Sequence, residues 1–242
     1  MTTTPSSVQP VAATGRATMI ALIALTFITG LIDAVSYISL GRVFAANMTG
    51  NIVLLGFAMG GATGLSAARS GASLLAFMAG ALFGGMINIR HADWTQMRLL
   101  KRTVAIEAVL LLTAASFAAS AGTKSEISPS LAYALIALMA LAMGLRNAVV
   151  RKLAVPDQTT TVLTLTVTGI ASDSSLAGGA NLRWRTRVTA VITMFAGAAA
   201  GAMLLRYGVF APLVASSLLL VVVLAWIFVM GPEDRQLGSE RA

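Results

Sequence analysis

The chain has 242 residues, 57% of them hydrophobic against 11% charged, with a formal net charge of +8, one histidine and no cysteine. That apolar share exceeds the roughly half-apolar make-up of soluble domains, so the chain cannot cover itself with polar surface. Disulfides, thiolate chemistry and an imidazole-built metal site are excluded; the basic residues flank apolar blocks rather than interleave with aromatics, which argues against nucleic acid.

Residues 1–17 open with a small, polar stretch read as a disordered cytoplasmic tail. The first apolar segment, 18–40, carries Asp33 and lacks a small-residue cleavage site, so it is expected to remain as a helix. Further apolar segments follow at 47–62, 71–89 and 103–122, then an extracytoplasmic linker at 123–129, then segments at 130–150, 158–171, 187–205 and 209–230, and a solvated cytoplasmic tail at 231–242. Six are long enough to cross a hydrocarbon core of about 30 Å at about 1.5 Å per residue. The second and sixth are not: their apolar cores, Ile52 to Ala62 and Val162 to Ala171, make helices only about 15 to 17 Å long.

The two halves, 18–122 and 130–230, repeat each other. Gly30-Leu31-Ile32-Asp33-Ala34-Val35 recurs as Gly144-Leu145-Arg146-Asn147-Ala148-Val149, and Ala79-Gly80-Ala81 with Gly84 recurs at nearly the same separation as Ala196-Gly197-Ala198 with Gly201. If the two short segments dip in and return, Arg16, Arg90, Arg98, Lys101, Arg102, Arg151, Lys152, Arg183, Arg185, Arg187, Arg235 and Arg241 face the cytoplasm, leaving only Arg42, Arg69, Lys124 and Arg206 outside. Eight full spans would erase this positive-inside bias. A seven-span arrangement with the N-terminus outside scores equally; the repeat symmetry and the short second segment favour six spans. The expected fold is thus an all-α membrane protein of six transmembrane helices plus two short re-entrant half-helices, in two inverted-topology repeats, with both termini cytoplasmic.

At Thr29 to Gly56 and again at Gly144 to Gly169, the sequence resembles the YoaK-like family of bacterial inner-membrane proteins. The resemblance rests on Gly30-Leu31-Ile32-Asp33-Ala34, Asn47-Met48-Thr49-Gly50-Asn51 and Pro156-Asp157-Gln158-Thr159-Thr160-Thr161. It implies an inner-membrane location; function has to come from the residues.

Each short segment follows residues suited to a broken, extended approach, Gly41 to Ala45 and Val155-Pro156. Asn47 or Thr49 can then cap the first half-helix, and Asp157 or Thr159 the second. Irregular backbone at membrane depth survives only beside protein or a water-filled cavity, and half-helix N-termini carry partial positive charge towards a solute. The substrate-binding candidates are therefore Asn47, Thr49, Asn51, Asp157, Gln158, Thr159, Thr160 and Thr161; in the bland alternative, these groups only satisfy one another across helices.

Asp33, Arg146 and Asn147 form the candidate polar core. An intramembrane carboxylate points to function, and Asp33, whose repeat equivalent is the neutral Asn147, suits proton coupling. Its structural alternative is a hydrogen bond to the broken backbone. Arg146, near the end of its helix, is expected to snorkel to water, with Asp157 or an anionic solute as the other partner. Glu107 is expected to pair with Arg102 at the interface. Thr161, Thr164 and Thr168 can share one helical face.

The leading functional expectation is a secondary transporter of a small polar or anionic solute, working by alternating access and coupled to protons, with the lipid bilayer as its other partner. No cofactor, metal or nucleic acid is expected. A channel or scaffold is the alternative, and an intramembrane enzyme ranks behind both for want of an acid–base pair. Small-xxx-small faces at Ala76, Gly80 and Gly84, and at Thr193, Gly197 and Gly201, allow close helix packing, within the chain or between copies.

Overall fold

A computed structural model describes residues 16–120, 127–153, 163–181 and 183–230. Most of both tails, most of the linker and Asp157 to Thr161 lie outside the described residues. Eight α-helices follow in chain order: α1 (Arg16–Ser39), α2 (Met48–Met59), α3 (Ala67–Arg90), α4 (Gln96–Ser120), α5 (Pro129–Leu153), α6 (Leu163–Ser172), α7 (Trp184–Leu204) and α8 (Phe210–Met230). Six provide apolar stretches of 20 to 25 residues, enough to cross a membrane, whereas α2 and α6 have 12 and 10 residues. The protein is thus an all-helical, multi-pass membrane protein.

Helix α4 begins at Gln96 rather than near residue 103. Hydropathy misses this start because Arg98, Lys101 and Arg102 dilute it, yet Leu99 and Leu100 on the same turns are buried. Basic residues ride on a helix that continues past its apolar span, just as Arg151 and Lys152 do in the last turn of α5.

The repeated glycines mark the closest helix contacts. Gly30 of α1 meets the backbone of Met194 and Ala198 on α7, and Gly144 of α5 meets Phe77 and Ala81 on α3. Reciprocally, Gly197 lies on Phe27 and Gly80 on Leu141, while Gly201 touches Leu31 and Ala34 and Gly84 touches Leu145 and Ala148. A Cβ at Gly30, Gly80, Gly144 or Gly197 would collide with a facing backbone, so each glycine is needed for close approach rather than for backbone freedom. The two halves therefore exchange contacts: the first helix of each packs on the third of the other.

The same contacts fix directions. Residue numbers rise together along α1 and α7, and along α3 and α5, so each pair is parallel. Lys152 Nζ donates to the Asn88 carbonyl (2.7 Å), so α5 and α3 finish at one end. Arg69 Nη1 donates to the Leu40 carbonyl (3.3 Å), so α3 starts where α1 finishes. Lys101 lies 4.8 Å from the Phe228 ring, which sets the start of α4 beside the end of α8. Helices α1, α4 and α7 thus run one way and α3, α5 and α8 the other.

Candidate functional site

The first helix stops because Gly41 (φ 92°) and Arg42 (φ 57°) turn left-handed, and the Arg42 N–H closes back on the Tyr37 carbonyl at 3.1 Å. The extended residues that follow are held peptide by peptide. Asn51 Oδ1 accepts the Phe44 N–H (2.8 Å), while Asn51 Nδ2 and Ser73 Oγ both donate to the Phe44 carbonyl (2.6 Å each). Ser36 Oγ accepts the Ala45 N–H (3.1 Å), Asp33 Oδ1 accepts the Ala46 N–H (2.9 Å), and Asn47 Oδ1 caps α2 through the Gly50 N–H (3.1 Å). Backbone that leaves a helix inside a membrane needs such partners, because lipid offers none.

Beside these bonds lies an open cavity of about 530 Å³. Thr29, Asp33 and Tyr37, successive turns of α1, form one side; Phe44 and the start of α2 form another; Phe77 of α3, Met194 of α7 and Leu163 and Thr164 of α6 complete it. The starts of both short helices therefore face one space. The Tyr37 and Phe44 rings stack there, with centroids 4.9 Å apart. Asp33 is only 6% exposed and is the one charged side chain among the described lining residues.

The candidates from sequence divide accordingly. Asn47, Thr49 and Asp33 line the cavity. Asn51 does not: it is fully buried, and both ends of its amide are used on Phe44 and Ser73, which makes it a positioning residue. Asp157, Gln158, Thr159, Thr160 and Thr161 lie outside the described residues. Of the threonines beyond them, Thr164 reaches the cavity, whereas the Thr168 hydroxyl donates to the Thr164 carbonyl at 2.9 Å within α6. Asn147, half-buried, donates to the Met143 carbonyl (2.9 Å) and is not on the wall.

Arg146 corrects the expectation of snorkelling. It is 2% exposed and grips the fully buried Glu107 with two donors, Nε to Oε2 at 2.8 Å and Nη2 to Oε1. Its Nη1 donates to Thr29 Oγ1 (2.7 Å) and to the Leu25 carbonyl (2.8 Å). A planar guanidinium with donors on several sides can satisfy a carboxylate and a neighbouring helix at once, so the charge has no need of the interface. Glu107 is correspondingly not the partner of Arg102, whose guanidinium lies 4.1 Å from the centre of the Trp94 ring. Thr29 joins this pair to the cavity wall.

The second short helix is secured at its other end. Arg187 Nη1 donates to the Gly169 carbonyl and to Asp173 Oδ2, both at 2.6 Å. The guanidinium, with help from Ser172, holds the Asp173 carboxyl below the usual aspartate range.

Sequence reasoning missed Ser36, Ser73, Thr29, Tyr37 and Phe44. Ser36 was accessible in principle, being one turn after Asp33 on the same face; Ser73 comes from a different helix and carries no such signal. Among the described residues, no group of three or more His, Cys, Asp or Glu could hold a metal ion.

A family model described as "Protein of unknown function (DUF1275)" matches residues 21–226. The chain is also similar to the UPF0700 transmembrane protein YoaK of Bacillus subtilis (strain 168), with 32% identity over 164 residues that cover 68% of this chain and 69% of that one. No solved structure matches it. The match over nearly all of the helical region means that this chain belongs to the DUF1275 family, and its likeness to YoaK makes it a YoaK-like membrane protein.

Proposed function

We propose that the protein is a secondary transporter of a small polar solute in the bacterial inner membrane, built from two inverted repeats with α2 and α6 as re-entrant half-helices and both termini cytoplasmic. The observation that carries this reading is the cavity of about 530 Å³ whose wall combines the starts of both short helices, at Thr49 and Thr164, with the buried Asp33. The helix directions support it: α1 ends where α3 begins, so α2 returns to the end it left, and α6 lies between two helices related in the same way. The two half-helices then approach one site from opposite ends. Inverted repeats that swap contacts through close glycine seams can rock about such a site, opening it to each side in turn. Asp33 couples this motion to protons, since a carboxylate must be neutralised before its surroundings close.

The absence of native cysteine gives a direct test. Thr49→Cys should react with a membrane-impermeant thiol reagent applied from either face of oriented vesicles, and a disulfide or short bifunctional linker should join Thr49→Cys to Thr164→Cys. Alternating access further requires that cross-linking stop solute exchange. Labelling from one face only, with no cross-link, would eliminate the transporter reading; uninterrupted ion flux with both faces open at once would make it a channel.

A further inference from the structure

We propose that the cavity takes an organic cation, an alkyl- or aryl-ammonium small enough for about 530 Å³, held by the Asp33 carboxylate against the rings of Tyr37, Phe44 and Phe77. This rests on the transporter reading for the site and adds the chemistry of its ligand. Asp33 is 6% exposed and lies in the wall. Its partners are backbone N–H groups, Ala46 at Oδ1 (2.9 Å) with Ala45 and Asn47 beside it, so peptide dipoles rather than a paired cation answer its charge. A buried carboxylate in a mostly apolar wall needs a countercharge or a proton. The nearest buried cation cannot serve fully, because Arg146 is committed to Glu107 through two of its donors and to α1 through a third.

The rest of the wall favours the same ligand. The Tyr37, Phe44 and Phe77 rings line the cavity, and an aromatic ring attracts a cation within about 6 Å of its centre. Met48 and Met194 add polarisable thioethers suited to alkyl groups. An anion meets the opposite: it would lie beside Asp33, and two of the amides around the start of α2 are already taken, Gly50 by Asn47 Oδ1 and Ala46 by Asp33 Oδ1. The approach to α2 thus orients the carboxylate through the Ala46 N–H.

The oxygen that holds the cation can hold a proton, so the two ligands compete and their exchange couples their movements. The groups that bear on this competition are Arg146 from α5, with Glu107 of α4 behind it, and the Tyr37 phenol one turn along α1. The described wall residues of α2, α3, α6 and α7 add no titratable side chain.

Binding to the full-length protein in nanodiscs of zwitterionic lipid, measured calorimetrically, tests this with benzyltrimethylammonium, benzyl alcohol and benzoate as probes. The cation should bind saturably and at least about tenfold more tightly than either analogue, a difference within the range of a desolvated charge and cation–π contacts. Its affinity should fall on acidification. Asp33→Asn keeps an Oδ1 acceptor for the Ala46 N–H and should abolish the preference for the cation; Tyr37→Leu leaves the carboxylate in place and should weaken cation binding several-fold. Equal binding of benzyl alcohol or stronger binding of benzoate by the wild type overturns the proposal, as does an unchanged preference in Asp33→Asn. Two-sided labelling of Thr49→Cys reports on transport independently: if it persists while the cation shows no advantage, the ligand class is wrong and the transporter reading stands, and if it fails as well, both fall.

Discussion

Among the described residues, the two short helices are anchored differently. The approach to α2 is fixed at its beginning: Ser36, Asp33, Asn51 and Ser73 take up the peptide groups from Phe44 to Ala46, in buried or partly buried surroundings. Helix α6 is fixed at its end, where Arg187 binds the Gly169 carbonyl and a half-exposed Asp173. Long-helix packing, by contrast, is nearly the same in both halves, glycine for glycine. The glycine seams thus match across the two halves, while the described polar residues beside them differ, as Asp33 against Asn147 shows.

The strongest way to break this asymmetry is to strand its largest charge. Glu107→Gln leaves the Arg146 guanidinium buried without a counterion and should cost about 3–5 kcal/mol, read as a lowered melting temperature in detergent. A smaller loss is expected from Asn51→Leu, which orphans the Phe44 N–H: about 1–3 kcal/mol, accompanied by faster amide exchange between Phe44 and Asn47. If exchange there stays slow, the approach to α2 is held by something other than the Asn51 amide.

The smallest effect concerns the second anchor. Asp173 lies outside the spans with its carboxyl held below the ordinary aspartate range by Arg187, so its contribution is fully present above that range and is lost as pH falls through the native value. Asp173→Asn at neutral pH, which mimics the protonated carboxyl, should speed amide exchange in α6 while leaving exchange around Phe44 and the global melting temperature unchanged. Equal acceleration at both short helices would show that the anchors are not independent.

Most of the helical frame was legible in the chain because it follows from length and periodicity. Six apolar runs match the thickness of a bilayer, two do not, and the Gly30/Gly144 and Gly80/Gly197 pairs announce close helix contacts. The break at Gly41 and the cap at Asn47 were also readable, because backbone conformation and capping depend on neighbouring residues. The start of α4 was hidden, since charge lowers hydropathy without ending a helix.

What the sequence by itself determined, then, is a membrane-embedded helical chain with a break after α1 and a costly carboxylate at Asp33. Tertiary structure alone decided which polar groups meet. Arg146 had an apparent route to water along its own helix, and only the placement of Glu107, Thr29 and the Leu25 carbonyl around it made burial the better solution. Asn51 looked like a ligand contact until Phe44 and Ser73 were found to use both ends of its amide. The reason is common to both: a polar group in an apolar bundle takes the partner that reaches it first in space, and spacing along the chain does not encode which helix supplies that partner.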